Sequence, residues 1–411
     1  MSRSKLAFLL LAAMAVPILL WPSDAGAVPV FARKYGFACT MCHSSFPRLN
    51  DFGVRFRDNG YRLPSRESEE RTVLQGPAPF AARVSGGYDY DQFQDSPEAV
   101  EEVRQFRLDG LDLLSAGLMA RNIGYFAVYV PQIDASRGVA GQDGTLEMAS
   151  VVFSHLGSSW LNVRAGRFEP AYVAFSVKRH LSVTPYEIYD FSFPGGSAFS
   201  DTQTGLELYG QGRHGLHYAV GWLDGADSDS TGANLSDDPP ADVYARVSVV
   251  FGAGEGQTAG HRIGIVGYSG KARSLTAGPG SAPSDRKCYQ RYGADASLNY
   301  AQLNLALQYL WGSDDEGFWG ATESQDFSGG FAELTWQPMT RLAAFARYDS
   351  VDAPDAATQE GISRTSAGAR YSFADQLALH AEYSRATTSF RAPATPDMQE
   401  DFFTVRLDFA F

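Results

Sequence analysis

From Phe80 to the end of the chain, apolar and polar positions alternate with period two in runs of about ten residues. The last run shows it best: Phe403, Val405, Leu407, Phe409 and Phe411 fall on one face, and Thr404, Arg406, Asp408 and Ala410 on the other. The pattern predicts strands at 80–91, 104–114, 119–130, 146–155, 160–168, 203–212, 215–223 and 241–251. Eight more follow at 261–269, 290–299, 301–311, 326–336, 340–350, 362–373, 375–386 and 401–411. Tight turns are read at Ser115–Leu118, Gly157–Ser159, Gly212–His214, Gln337–Thr340 and Ala374–Asp375. Between them lie longer connections at 92–103, 131–145, 169–202, 224–240, 270–289, 312–325, 351–361 and 387–400.

A charged face opposite an apolar one suits a strand between lipid and a wet lumen, and short turns alternating with long loops suit a barrel that crosses the outer membrane. The fold class expected is therefore all-β: a sixteen-stranded antiparallel outer-membrane β-barrel over residues 80–411, with a small helical segment before it. A soluble sandwich or propeller would need a second sheet over the apolar face, or a repeat spacing, and neither is present.

Ahead of the barrel the pattern changes. Arg3 and Lys5, an apolar run from Leu6 to Leu20, and Ala25-Gly26-Ala27 read as a signal peptide over residues 1–27. Across 28–64, Phe46, Leu49, Phe52 and Phe56 recur at helical spacing, and Asn59-Gly60 stops the helix. Residues 65–79 are polar, then Pro-containing, and read as a linker.

Composition adds two constraints. The formal net charge of −13 becomes −14 once residues 1–27, with two basic residues and one acid, are removed; nucleic acid is not an expected partner. Of three cysteines, two lie in Cys39-Thr40-Met41-Cys42-His43, so Cys288 has no internal disulfide partner. C-x-x-C-H is the pattern by which two thiols attach a haem covalently and the histidine ligates its iron. One covalently bound haem c is expected, with Cys39 and Cys42 as the attachment points and His43 as the proximal ligand. The aromatic stripe from Phe46 to Phe56 is expected to lie on the porphyrin.

A second iron ligand is not written beside the motif, because Met41 lies between the cysteines. Strand parity points His217 and His380 into the lumen, and His180 sits in the longest loop, the kind that folds inward in barrels. His180 is the favoured distal candidate, with a water-bound or open site as the alternative. Around it, Lys178, Arg179, Tyr186 and Tyr189 read either as a clamp for haem carboxylates or as an ordinary constriction. Outer loops carry acidic clusters, among them Asp91, Asp95, Glu98, Glu101 and Glu102, which suit divalent cations or bridges to lipid headgroups. No nucleophile elbow, phosphate loop or zinc motif is present.

The run Phe31–His43, then Phe46–Gly53 and Asp58–Tyr61, resembles the N-terminus of the fused monohaem cytochrome–porins of the bacterial outer membrane, whose best-known members are iron-oxidising cytochromes. The resemblance is close over 31–63 and only architectural over the barrel. It implies a haem segment in the lumen and single-electron transfer between an extracellular redox species, Fe(II) foremost, and a periplasmic cytochrome or other electron carrier. On that reading the chain is an electron-transfer protein, at most an Fe(II) oxidase-like oxidoreductase, embedded in outer-membrane lipid. The rivals are a solute porin plugged or gated by the haem segment, and a peroxidase-like haem enzyme using Arg179-His180.

Overall fold

The computed structural model describes residues 30–45, 47–63, 71–76, 79–96, 99–131, 144–172, 176–193, 199, 202–225, 242–252, 260–273, 286–315, 324–354, 359–391 and 396–410. Sixteen strands form one closed barrel in which each pairs antiparallel with its sequence neighbours. They are β1 (Phe80–Ser96), β2 (Ala99–Ala120), β3 (Ile123–Val130), β4 (Thr145–Phe153), β5 (Asn162–Phe168), β6 (Gln203–Gln211), β7 (Leu216–Leu223) and β8 (Asp242–Phe251). The circle continues with β9 (His261–Arg273), β10 (Arg286–Tyr300), β11 (Leu303–Asp314), β12 (Gln325–Met339), β13 (Leu342–Asp352), β14 (Gln359–Ala374), β15 (Leu377–Phe390) and β16 (Met398–Ala410). It closes where β16 pairs with β1, Phe403 opposite Tyr90.

Period-two patterning acts as anticipated. On β8, Val243, Val247 and Val249 are exposed on the outside while Tyr244, Arg246 and Ser248 are buried inside. On β16, Phe403 and Phe409 face out and Thr404 is wholly buried. Exposed aromatics collect near both rims, with Tyr300, Trp336 and Tyr371 at the short-turn end and Trp222, Trp311 and Tyr348 at the long-loop end. This is the arrangement by which barrels meet the two lipid–water interfaces.

Two expectations about the first three strands need correction. Ser115–Leu118 is not a turn: β2 runs through it, pairing Ser115 with Ala127 and Leu118 with Gly124 before the chain turns at 121–122. Small residues there read as a turn, but β3 on one side and the Val73 N–H, donated to the Leu118 carbonyl at 2.9 Å, on the other supply the ladder. Nor is 92–103 a loop, because β1 and β2 stay paired up to Ser96 and Ala99. Acidic side chains there need only water, which a hairpin projecting past the lipid provides. Glu98 and most of the long connection 131–145 lie outside the described residues.

The lumen is filled from the connection between β5 and β6. A four-residue helix, Glu187–Asp190, packs against β12, β13 and β14. Tyr172, Tyr186, Tyr189 and Phe199 of this connection join Tyr244, Tyr268 and Phe331 of the wall in one buried cluster. Wall charges tie it down. Glu382 accepts hydrogen bonds from Ser182 Oγ and the Val183 N–H, both at 2.7 Å. Arg347 donates to the carbonyls of Thr184 at 3.0 Å and Pro185 at 2.6 Å.

Candidate functional site

The N-terminal segment builds a small unit around the C-x-x-C-H motif. A helix Val30–Tyr35 (α1) leads into a 3-10 turn, Cys39–Met41, that carries the first cysteine. His43–Ser45 and Arg48–Leu49 then form a two-stranded ribbon, with His43 opposite Leu49. A second helix, α2, runs Asp51–Asp58.

The helix is shorter than the stripe from Phe46 suggested, and Leu49 belongs to the ribbon. Pro47 disfavours helix in the residue before it, and Arg48 and Leu49 pair with Ser45 and His43 in the ribbon; Phe46 lies outside the described residues. Asn50 starts the helix instead. Its Oδ1 accepts the Gly53 N–H at 2.9 Å, and its Nδ2 donates back to the carbonyls of Thr40 at 3.2 Å and Met41 at 3.1 Å. One side chain thus caps α2 and fixes the turn bearing the cysteines. Gly53 is required for the same contact, since a Cβ there would collide with the Cys42 carbonyl oxygen and Leu49. At the other end, Asn59 donates its N–H to Arg55 O at 2.9 Å, and Gly60 adopts a φ of 67°.

Aromatic rings hold the unit together. Phe56 meets Phe31 edge-on at 4.9 Å, Phe31 stacks on Tyr61 at 5.2 Å, and Tyr61 stacks on Phe126 of the wall at 5.9 Å. Phe52 of the stripe and Phe37 ahead of the motif, 6.4 Å apart edge-on, are only half-buried.

Contacts reach around the barrel near its short-turn end. Arg48 Nη1 lies 3.2 Å from Glu333 Oε1 on β12. Arg62, buried, donates to Asn122 Oδ1 at 3.1 Å between β2 and β3. Tyr209 on β6 donates to the Asp58 carbonyl at 2.9 Å. Cys39 Sγ lies 3.5 Å from the Asp375 carbonyl between β14 and β15. Residues of the segment thus meet wall residues on β6 and β12 and at the β2–β3 and β14–β15 turns.

The motif residues suit a covalently held haem. His43 Nδ1 lies 3.0 Å from the Pro47 carbonyl, which can only accept, so Nδ1 carries the proton and Nε2 is the basic nitrogen. Iron-ligating histidines are oriented in this way, the far ring nitrogen donating to a backbone carbonyl. Burial pushes the imidazole down to about 4, against the pull of the Pro47 and Arg48 backbone, so the ring is neutral and able to ligate. Burial pushes the Cys42 thiol up to about 11, with Cys39 adding to it, which disfavours a metal-binding thiolate. Cys39, Cys42 and His43 are each half-buried as whole residues. The cysteines are not joined in a disulfide.

The histidines left open by the sequence separate clearly. His380 faces the lumen, and its Nε2 lies 3.0 Å from Glu382 Oε2. His217 lines a cavity of about 80 Å³ with Arg57, Asp58 and Arg262. The His180 ring packs tilted against Tyr186 with centroids 4.7 Å apart, and burial, then Arg347, push it down to about 3. The neighbouring Arg179 instead pairs with Glu147 at 3.4 Å, so the two members of the Arg–His pair go to different partners. Cys288 donates its N–H to Asp315 at 3.0 Å, far along the barrel from the motif.

Sequence reasoning missed the wall residues that grip the segment and the loop, chiefly Glu333, Arg347 and Glu382. Charges at inward positions were the available signal, but nothing local says which segment each one meets. Among the described residues, no group of three or more His, Cys, Asp or Glu is placed to hold a metal ion, so the acidic hairpin Asp91, Asp95, Glu101 and Glu102 builds no such site.

No protein-family model matches the chain, and no curated protein matches it in sequence. Its fold does have solved counterparts. An anion-selective porin from Comamonas acidovorans superposes with a TM-score of 0.56 at 10% identity, covering 81% of this chain and 99% of that one. The outer membrane channel DcaP of Acinetobacter baumannii gives 0.58 at 10% identity, covering 81% and 96%. Salmonella typhi OmpF, in a complex with daunomycin, gives 0.54 at 11% identity, covering 81% and 97%. The chain is thus a porin-like, sixteen-stranded β-barrel. At such low identity the likeness is one of fold.

Proposed function

We propose that the chain is an outer-membrane c-type cytochrome built on a porin barrel, passing single electrons between an extracellular redox species and a periplasmic electron carrier. Fe(II) is the first candidate for the outer species, and a soluble cytochrome for the inner one. The observation that carries this reading is the C-x-x-C-H motif in the barrel mouth, with His43 Nδ1 tied to the Pro47 carbonyl. The apolar outer face and its two aromatic rims support insertion in the outer membrane, with the short turns at the periplasmic side.

In this reading Cys39 and Cys42 hold a haem by two thioethers and His43 ligates it. The bound group would supply one-electron iron chemistry. The chain's own residues do the rest. Asn50 and Gly53 fix the turn that carries the thiols. Arg48, Arg62 and Tyr209 hold the segment in the mouth. The buried aromatic cluster fills part of the lumen and narrows any path for solutes.

A second reading is a solute porin whose N-terminal segment plugs or gates it. The likeness to porins and channels, taken alone, backs this reading better than the first, because it speaks only for the barrel. Against it stands the packed lumen. The test is direct: purify the protein from cells competent in haem attachment, stain a denaturing gel for haem, and measure reduction by Fe(II). A stained band lost in Cys42→Ser supports the cytochrome. An unstained band with rapid sugar uptake in proteoliposomes supports the porin.

A further inference from the structure

A soluble carrier that exchanges electrons with a haem on Cys39 and Cys42 has to dock beside the turn that bears them. We propose that the exposed side of the N-terminal segment is a transient docking surface for a soluble electron carrier whose own redox edge is apolar and rimmed by carboxylates. The inference rests on the electron-transfer function proposed above and adds the chemistry of the partner.

Charge is the first support. The chain as a whole is strongly acidic, with a formal net charge of −13. Residues 28–64 run against this with six cations and two acids, and the balance stays positive, at +3, when the linker to residue 79 is included. Part of that charge is used within the barrel. Arg48 faces Glu333, Arg62 is buried against Asn122, and Arg57 pairs with Asp58 at 2.9 Å. Arg33, Lys34 and Arg55 carry the rest, with Asp51 the other acid of the segment.

The accessible side of the segment has an apolar centre beside the cysteines. Met41, between them, is 42% exposed. Phe37 and Phe52, whose rings meet edge-on, continue it, and Tyr35 stacks on Phe37 at 5.4 Å. Cations flank this row at both ends. Lys34 Nζ lies 4.7 Å from the centre of the Tyr35 ring, and Arg55, exposed, follows Phe52 by one helical turn. Gly36 and Ala38, also exposed, leave the backbone on either side of Phe37 open to approach. Beyond the segment, Arg121 and Arg341 stand exposed on short turns, with Asp375 the one exposed acid among the described turn residues at that end.

This makeup fits a soluble partner better than lipid. Glu333 and Tyr209, which meet the segment, are buried residues of the inner wall, so the segment is attached to the side of the strands away from the bilayer. An electron carrier must also leave quickly. A small apolar centre with a charged rim suits that, because long-range attraction speeds encounter while exposed charges add little to the strength of the bound state. Transient redox contacts are correspondingly small. Cations at both ends of the row steer a carrier with a negative face and repel one with a positive face.

The test measures steering. The holoprotein in phosphatidylcholine nanodiscs is mixed with an acidic soluble c-type cytochrome, and electron exchange is followed by stopped flow at rising salt. The rate should fall as salt rises. Lys34→Glu with Arg55→Glu should cut the low-salt rate about tenfold or more and flatten or invert the salt dependence. The same variant should react faster with a basic cytochrome and at an unchanged rate with a neutral hydroquinone. Equilibrium binding of the acidic cytochrome to the nanodiscs, read by interferometry, should weaken in parallel. A wild-type rate that rises with salt, or an acidic-carrier rate and salt slope unchanged in the double variant, would overturn the proposal. Retention of phosphatidylglycerol that the double variant loses, with carrier rates unaltered, would assign the cations to lipid and overturn it too. Absence of covalent haem from the wild type would instead sink the function proposed above, and this surface with it.

Discussion

Arg48 and Glu333 stand 285 positions apart in the chain, yet their side chains meet at 3.2 Å in the barrel lumen, both almost fully buried. The pair joins the N-terminal segment to the wall. Through the second oxygen of Glu333 it also joins both to Tyr186 of the inward-folded loop.

Breaking this pair should loosen the segment. Glu333→Ala removes the carboxylate that faces a buried guanidinium, a loss of up to roughly 3–5 kcal/mol. We expect faster proteolysis of the 65–79 linker and measurable sugar uptake in proteoliposomes, the barrel itself staying folded. The double variant Arg48→Met with Glu333→Met should recover most of the protection, because it removes both charges.

Gly53 sets the distance between α2 and the cysteine turn. Gly53→Ala forces the helix off the Cys42 carbonyl, a strain on the order of 1–3 kcal/mol. The expected outcome is a lower yield of covalent haem per barrel, read from haem stain against total protein. Asn50→Asp, which keeps the capping oxygen but loses both back-donated bonds, should fall between wild type and Asn50→Ala.

The two faces of β8 should respond oppositely to charge. Val247→Arg places a cation on the lipid side, at a cost of about 2–4 kcal/mol near mid-membrane, whereas Ser248→Arg points into the lumen. Folding into lipid vesicles, followed by the mobility shift of unheated samples on gels, should show Val247→Arg folding at lower urea and Ser248→Arg inserting more nearly like wild type.

The barrel was readable because each strand needs only its own alternation to choose a face: Val247 and Ser248 carry that information between them. Strand number and the order of short and long connections followed. Where the reading slipped, at Ser115–Leu118 and at 92–103, small or charged residues were taken for turn and loop although the ladders run on through them: β2 pairs with β3 in one case, with Val73 beside it, and β1 with β2 in the other. The role proposed for Cys39, Cys42 and His43 rests on five adjacent residues and needs no knowledge of the fold. Glu333, Arg347 and Glu382 were not, since an inward charge on a strand looks the same whether it meets water, a loop or the N-terminal segment.

The most direct test of the whole account encloses a membrane-impermeant oxidant in proteoliposomes and supplies Fe(II) outside. The account predicts that the enclosed oxidant is reduced in wild-type vesicles, that sugars fail to enter, and that Cys39→Ser with Cys42→Ser abolishes the reduction. Vesicles that admit sugars freely, and in which the double variant reduces the oxidant as fast as wild type, would contradict it.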